Sequence, residues 1–169
     1  TDQGVYLCQD ANCGVQDNGN GTLQNDNVRQ VLILDGGVVL VATDWGIEVY
    51  NPLTRVRWPN SDIAGNGNDF QGRVSDFAYV GSNSNVHDIW MTTAADGAYR
   101  LSLDLSNAGT TTWSLTYYHT GNSDLPHDNV QAALTTADPQ IVWFATDAGI
   151  AKLVLGAAQM GHNHARFEM

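Results

Sequence analysis

Residues 26–50, DNVRQVLILDGGVVLVATDWGIEVY, and residues 128–153, DNVQAALTTADPQIVWFATDAGIAKL, carry one phrase twice. Each opens on Asp-Asn-Val, runs through an apolar stretch, a polar turn and a second apolar stretch, then closes with Ala-Thr-Asp-x-Gly-Ile before a third short run. Two segments matching over that length define an internal repeat. Residues 73–103, RVSDFAYVGSNSNVHDIWMTTAADGAYRLSL, follow the same strand, turn, strand, Asp-Gly, strand order more loosely, and TDQGVYL opens the chain with a partial copy. The glycines that mark the copies, Gly4, Gly46, Gly97 and Gly149, are 42, 51 and 52 residues apart. A period of about 40–50 residues is that of a four-stranded propeller blade.

The strands follow from the pattern. Val38 to Thr43 and Ile141 to Thr146 are short, β-rich and almost continuously apolar, as strands buried on both faces are, so they are read as the second strands of their blades. Trp90 and Trp143 fall inside second strands and are read as core. Gly36-Gly37 and Asp138-Pro139 turn the first strand into the second. The Thr-Asp-x-Gly elements turn the second into the third, with Asp44 and Asp147 as turn residues and glycine supplying a positive φ. VRWPNS (56–61) and TWSLTYY (112–118) fit outer, fourth strands, and GNGND (65–69) and TGNSD (120–124) cross to the next blade.

The expected fold is therefore all-β, one partial propeller domain of about three and a half four-stranded antiparallel blades spanning 1–21 (partial), 22–69, 70–123 and 124–169. The last fourth strand is expected from Ala165 to Met169. An incomplete ring leaves sheet edges with unpaired backbone groups, which invite pairing. Two partners are expected on that ground: the remainder of a longer propeller chain, or a second copy through self-association.

Composition agrees with β-structure. Seventeen glycines and an acidic side made almost wholly of Asp, with Glu48 and Glu168 the only glutamates, are turn chemistry, and good helix formers are scarce. Seven Lys plus Arg against eighteen Asp plus Glu give a formal charge of −11. Such a surface repels phosphate backbones and anionic lipid heads, so nucleic acid and membrane insertion are poor expectations. No stretch approaches the ~20 apolar residues that cross a bilayer. Cys8 and Cys13 are the only cysteines, and in an exported protein a local disulfide is expected from them.

The segment LPHDNVQAALTTADPQIVWFATDAGIAKL resembles the two-component regulator propeller repeat, through Leu125, Pro126, Val130, Trp143, Thr146 and Gly149. It departs from that repeat in Ala42 and Ala145, where glycine is usual before the Thr. Ser102-Leu-Asp104 with Gly109-Thr-Thr-Thr-Trp113 is similar, with an insertion, to the Asp-box repeat of sialidase-like propellers, whose role in that family is structural. Either resemblance implies a propeller that hosts sensor ectodomains, surface binding proteins or glycan-active enzymes. It also implies a secreted, cell-surface or periplasmic location.

Among chemistry-bearing residues, Trp45 is the best ligand-binding candidate, because the variable position of its turn exposes it; Trp58 and the pair Tyr117-Tyr118 are added. Sugars or proteins are the ligands such aromatics fit. No cofactor is required, and calcium is the one the composition best tolerates, through Asp17 and Asn20 in one loop and Asn68 and Asp69 in another. The His162-x-His164 pair reads as a polar tail, while His87-Asp88 and His127-Asp128 read as surface turns. Nucleophilic catalysis has no motif here. Asp44, Asp147, Asp26 and Asp128 recur with the repeat, which favours structural over catalytic carboxylates. The function expected is a non-enzymatic extracellular binding module, such as a subunit of a fibre or adhesin. The alternatives are a fragment of a carbohydrate-active propeller enzyme and a sensor domain of a signalling protein.

Overall fold

In a computed structural model of the chain, the residues described are 3–9, 12–17, 19, 23, 25–51, 56–58, 72–106, 112–138, 140–155 and 167–168. They fall into two compact units, Thr1–Val74 and Ser75–Met169. The architecture is all-β and propeller-like.

The first unit holds a hairpin of β1 (Val5–Gln9) and β2 (Asn12–Gln16) and a sheet of β3 (Val28–Ile33), β4 (Val39–Thr43), β5 (Gly46–Asn51) and β6 (Val56–Trp58). The second holds β7 (Val74–Asn83), β8 (Val86–Thr93), β9 (Ala98–Asp104) and β10 (Thr112–Tyr118) in one sheet. Its other sheet is β11 (Val130–Thr135), β12 (Ile141–Thr146), β13 (Gly149–Val154) and β14 (Phe167–Glu168). Each four-stranded sheet runs in chain order with antiparallel neighbours, which is the topology of a blade. β14 lies within the tail expected to supply the last strand, and pairs Lys152 with Glu168 and Leu153 with Phe167.

The two closest copies share an irregularity that the pattern did not reveal. Between β3 and β4 the register steps from Val28↔Thr43 to Gln30↔Ala42, and between β11 and β12 from Val130↔Thr146 to Ala132↔Ala145. Arg29 and Gln131 are thus the extra residues of two bulges at one position of the repeat, and a bulge re-aims the side chain it carries.

The turns repeat as closely. Thr43 Oγ1 donates to the Gly46 carbonyl at 3.2 Å and accepts from the Trp45 N–H at 3.1 Å. Thr146 does the same with Gly149 and Ala148 at 2.9 and 3.2 Å. Thr93 donates to Gly97 and accepts from Asp96, both at 2.9 Å, across a turn one residue longer. Gly97 sits at φ 82° and its N–H donates to the Asp128 carbonyl at 2.7 Å. A Cβ there would lie 2.1 Å from the Tyr118 carbonyl oxygen, so backbone approaches backbone where only glycine fits.

In the second unit the core between sheets contains Ala78, Trp90, Ala98, Leu125, Val130, Ala133, Val142, Phe144, Ala151 and Leu153. The Trp90 ring meets Phe144 edge-on at 5.1 Å and Tyr118 at 5.1 Å. In the first unit Leu23, Val39 and Val41 form a smaller core with Val5 and Val28 against it. Two residues depart from expectation. Trp143 is 39% exposed rather than core, because β12 buries only one of its faces. His87 is buried rather than on the surface, and its Nδ1 lies 3.1 Å from the Tyr79 hydroxyl.

Candidate functional site

The turn between β4 and β5 presents Trp45, 60% exposed, at its tip. The preceding residue, Asp44, is held rigidly. Arg29, aimed by its bulge, donates to both Asp44 oxygens, Nε to Oδ1 at 2.7 Å and Nη2 to Oδ2 at 2.8 Å. Arg73 Nε lies 3.4 Å from Asp44 Oδ1. The Arg29 hydrogen bonds are the main cause that holds the Asp44 carboxyl below its ordinary range, against the opposing effect of burial. The same partnership raises Arg29. The result is an indole on a turn fixed by the Thr43 hydroxyl, next in sequence to a carboxylate flanked by two guanidinium groups. An exposed indole stacks on the apolar face of a sugar ring or on a cation, and guanidinium groups donate to hydroxyl or carboxylate oxygens.

The matching turn lacks that chemistry. Asp147 accepts from Asn129 Nδ2 at 2.7 Å and from Gln131 Nε2 at 2.6 Å, and the place of Trp45 is taken by Ala148. Other aspartates also serve structure. Asp128 accepts from the Thr120 N–H at 2.7 Å and its hydroxyl at 3.0 Å, and Asp88 pairs with Arg100 at 2.5 Å. Asp104, in the segment similar to the Asp box, accepts from the Ser106 N–H and hydroxyl, which lower its carboxyl.

The remaining aromatic candidates are placed differently. The Tyr117 ring lies between Tyr99 and His119, stacked with each at 4.6 Å. This three-ring stack forms because Tyr99 and Tyr117 face each other across β9 and β10. Burial, and then the neighbouring Tyr117, push the Tyr99 hydroxyl well above its ordinary range. Tyr118 points to the other face and packs on Trp90. Trp58 pairs with Val49 through the backbone, and its side chain lies outside the described residues.

Of the loop residues singled out for calcium, Asp17 is described, while Asn20, Asn68 and Asp69 lie outside the described residues, as do His162 and His164. Among the described residues no three His, Cys, Asp or Glu side chains group to hold a metal ion. Cys8 and Cys13 are direct partners across the β1–β2 hairpin. Directly opposed antiparallel residues have Cα atoms about 4.5–5.5 Å apart, within the span a disulfide bridges. A small cavity in the first unit is lined by Val5, Leu23, Val39, Val41 and Tyr50, with buried Glu48 on its wall.

The fold is thus all-β and propeller-like, and solved structures share it. No protein-family profile matches the chain, and neither does any curated protein. It is similar to the crystal structure of the extracellular domain of the putative hybrid two component system BT4673 from B. thetaiotaomicron, with TM-score 0.67 and 19% identity. A second structure, described as the extracellular domain of the putative one component system BT4673 from the same organism, matches equally, with TM-score 0.67 and 19% identity. The matches cover 99% of this chain but only 19% of each of those chains. No helix among the described residues is long and apolar enough to cross a membrane.

Proposed function

We propose that this chain is a non-enzymatic recognition module of an extracellular propeller, and that the Trp45 turn is its contact with a saccharide ligand. One observation carries the reading: the repeat keeps its threonine, aspartate and glycine for structure, yet at its variable position one copy mounts a large, 60% exposed indole where the matching copy has Ala148. A position that departs from the repeat at a solvent-facing turn is where recognition resides. Arg29 and Arg73 add donors suited to an acidic sugar. The use of Asp44, Asp88, Asp128 and Asp147 as structural acceptors supports binding over hydrolysis.

The solved structures of similar fold are described as extracellular domains of two component and one component systems, which supports a sensor ectodomain over a subunit of a fibre or adhesin. A disulfide between Cys8 and Cys13 belongs to the same proposal, since oxidising compartments favour it.

The test is a glycan array, neutral and acidic, probed with the wild-type chain and with Trp45→Ala. Binding in the wild type and a loss of tenfold or more in the variant, with an unchanged melting temperature, is the expected result. Equal binding by both proteins sinks the assignment of Trp45. Turnover of any arrayed glycan would transfer the chain to the hydrolase reading.

A further inference from the structure

The copies of the repeat differ at the residue before the first valine of the blade. Asn27 and Asn129 hold that place in the two closest copies, and Arg73 holds it in the looser one between them. The asparagines serve the turn of their own copy. Asn129 Nδ2 donates to Asp147 at 2.7 Å, and a hydrogen bond from Asn27 is among the causes that lower the Asp44 carboxyl. The looser copy has no such aspartate, because Ala94 follows Thr93 where Asp44 follows Thr43 and Asp147 follows Thr146. Arg73 is therefore released from the role its position has in the repeat.

Its guanidinium lies instead beside Asp44. The contact is Nε to Oδ1 at 3.4 Å, longer than the roughly 2.7–3.2 Å of an N–H···O hydrogen bond. Arg29, by contrast, commits Nε and Nη2 to the two Asp44 oxygens at 2.7 and 2.8 Å. Among the described residues Asp44 is the one ion-pair partner of Arg73, whose side chain is 50% exposed. Both terminal nitrogens of Arg73 thus remain for a ligand, and a guanidinium presents them as a planar fork that fits a carboxylate. Charge points the same way: two guanidinium groups flank one carboxylate here, on a chain whose net charge is −11. The matching turn sets Asp147 between two amides and has Ala148 in place of the indole. The aromatic surface and the surplus cation arrive together at one turn.

We infer that Arg73 is the specificity-determining residue of the Trp45 turn and selects saccharides bearing a carboxylate, of the uronic acid class, while Arg29 positions Asp44. The assignment rests on the saccharide reading of that turn; it narrows the ligand and gives the choice to one side chain.

The probes are an oligosaccharide ending in glucuronic acid and its carboxamide, which keeps the ring and loses the charge. Both are titrated calorimetrically against the wild-type chain, Arg73→Gln, Arg73→Lys and Trp45→Ala. The wild type should bind the acid about tenfold more tightly than the amide, and added salt should erode that preference. Arg73→Gln should bind both probes with the affinity the wild type has for the amide, which also reports that the turn is intact. Arg73→Lys, with the charge but not the fork, should hold an intermediate preference. A preference that survives in Arg73→Gln overturns the inference. A wild type that binds acid and amide alike, with binding abolished by Trp45→Ala, overturns it and leaves the saccharide reading standing. Binding of neither probe overturns it too, and the glycan array then decides the saccharide reading alone.

Discussion

Trp90 and Trp143 stand at the same place in two copies of one repeat, and the molecule treats them oppositely. Trp90 is fully buried between Phe144 and Tyr118, even leaving its indole N–H without a hydrogen-bond partner among the described residues. Trp143 lies on an open sheet face, 39% exposed. The strand that exposes its tryptophan, IVWFAT, is more apolar than the one that buries it, VHDIWMTT, so burial is conferred by the neighbouring sheet and not by the strand itself. β4 is buried at every residue, while β12 alternates.

Truncating each tryptophan in turn tests this contrast most directly. Trp90→Ala should cost about 3–5 kcal/mol in urea unfolding, the range for removing a buried aromatic. Trp143→Ala should cost under ~1 kcal/mol, since few contacts are lost. Equal losses would mean that β12 is covered on both faces.

The marker glycines give the next contrast. Gly97→Ala forces a methyl toward the Tyr118 carbonyl at a positive φ, whereas a Cβ at Gly149, φ 119°, meets nothing within 4 Å. Backbone strain alone costs of order 1–3 kcal/mol. Thermal melting should therefore show Gly97→Ala as clearly worse than Gly149→Ala; the reverse order would reject the close approach as the reason for glycine at Gly97.

The paired aspartates differ in the charge of their partners. Asp44 has a depressed pKa in the folded protein, caused first by Arg29, so its stabilising contribution is present above the unfolded pKa and is lost as pH falls through the folded value. The melting difference between wild type and Asp44→Asn should be largest near neutrality and vanish in strong acid, and it should shrink in high salt. Asp147→Asn, where amides are the partners, should show little salt dependence. A further effect is expected from reduction. Opening a Cys8–Cys13 disulfide frees only a short loop, so the loss should be about 2 kcal/mol or less. Intact mass before and after alkylation reports whether the bond exists.

The strands of the second unit were legible because the repeat supplies its own alignment. Turn glycines and second strands follow from matched text, while the outer strand Thr112–Tyr118 follows from its fit to the place after the third strand. The exposure of Trp143 was not legible, since hydropathy records that a strand can be covered, not that a partner sheet is present. His87 was misread because its polar ring suggested solvent, while the hydroxyl of Tyr79 satisfies it under cover. The Tyr99, Tyr117 and His119 stack depends on hairpin register, which no local pattern fixes. For the candidate site, the exposure of Trp45 followed from its turn position. Its two arginines did not, because Arg29 reaches Asp44 through a bulge that leaves no trace in periodicity.

That bulge has a consequence for how the repeat can vary. Because the extra residue of β3 or β11 is the one that grips the turn aspartate, each copy carries an interchangeable clasp: guanidinium in one, carboxamide in the other. The scaffold tolerates either. Ionic strength can then loosen one clasp and leave its twin untouched, so two turns of identical backbone design come to answer differently to the salt of their surroundings.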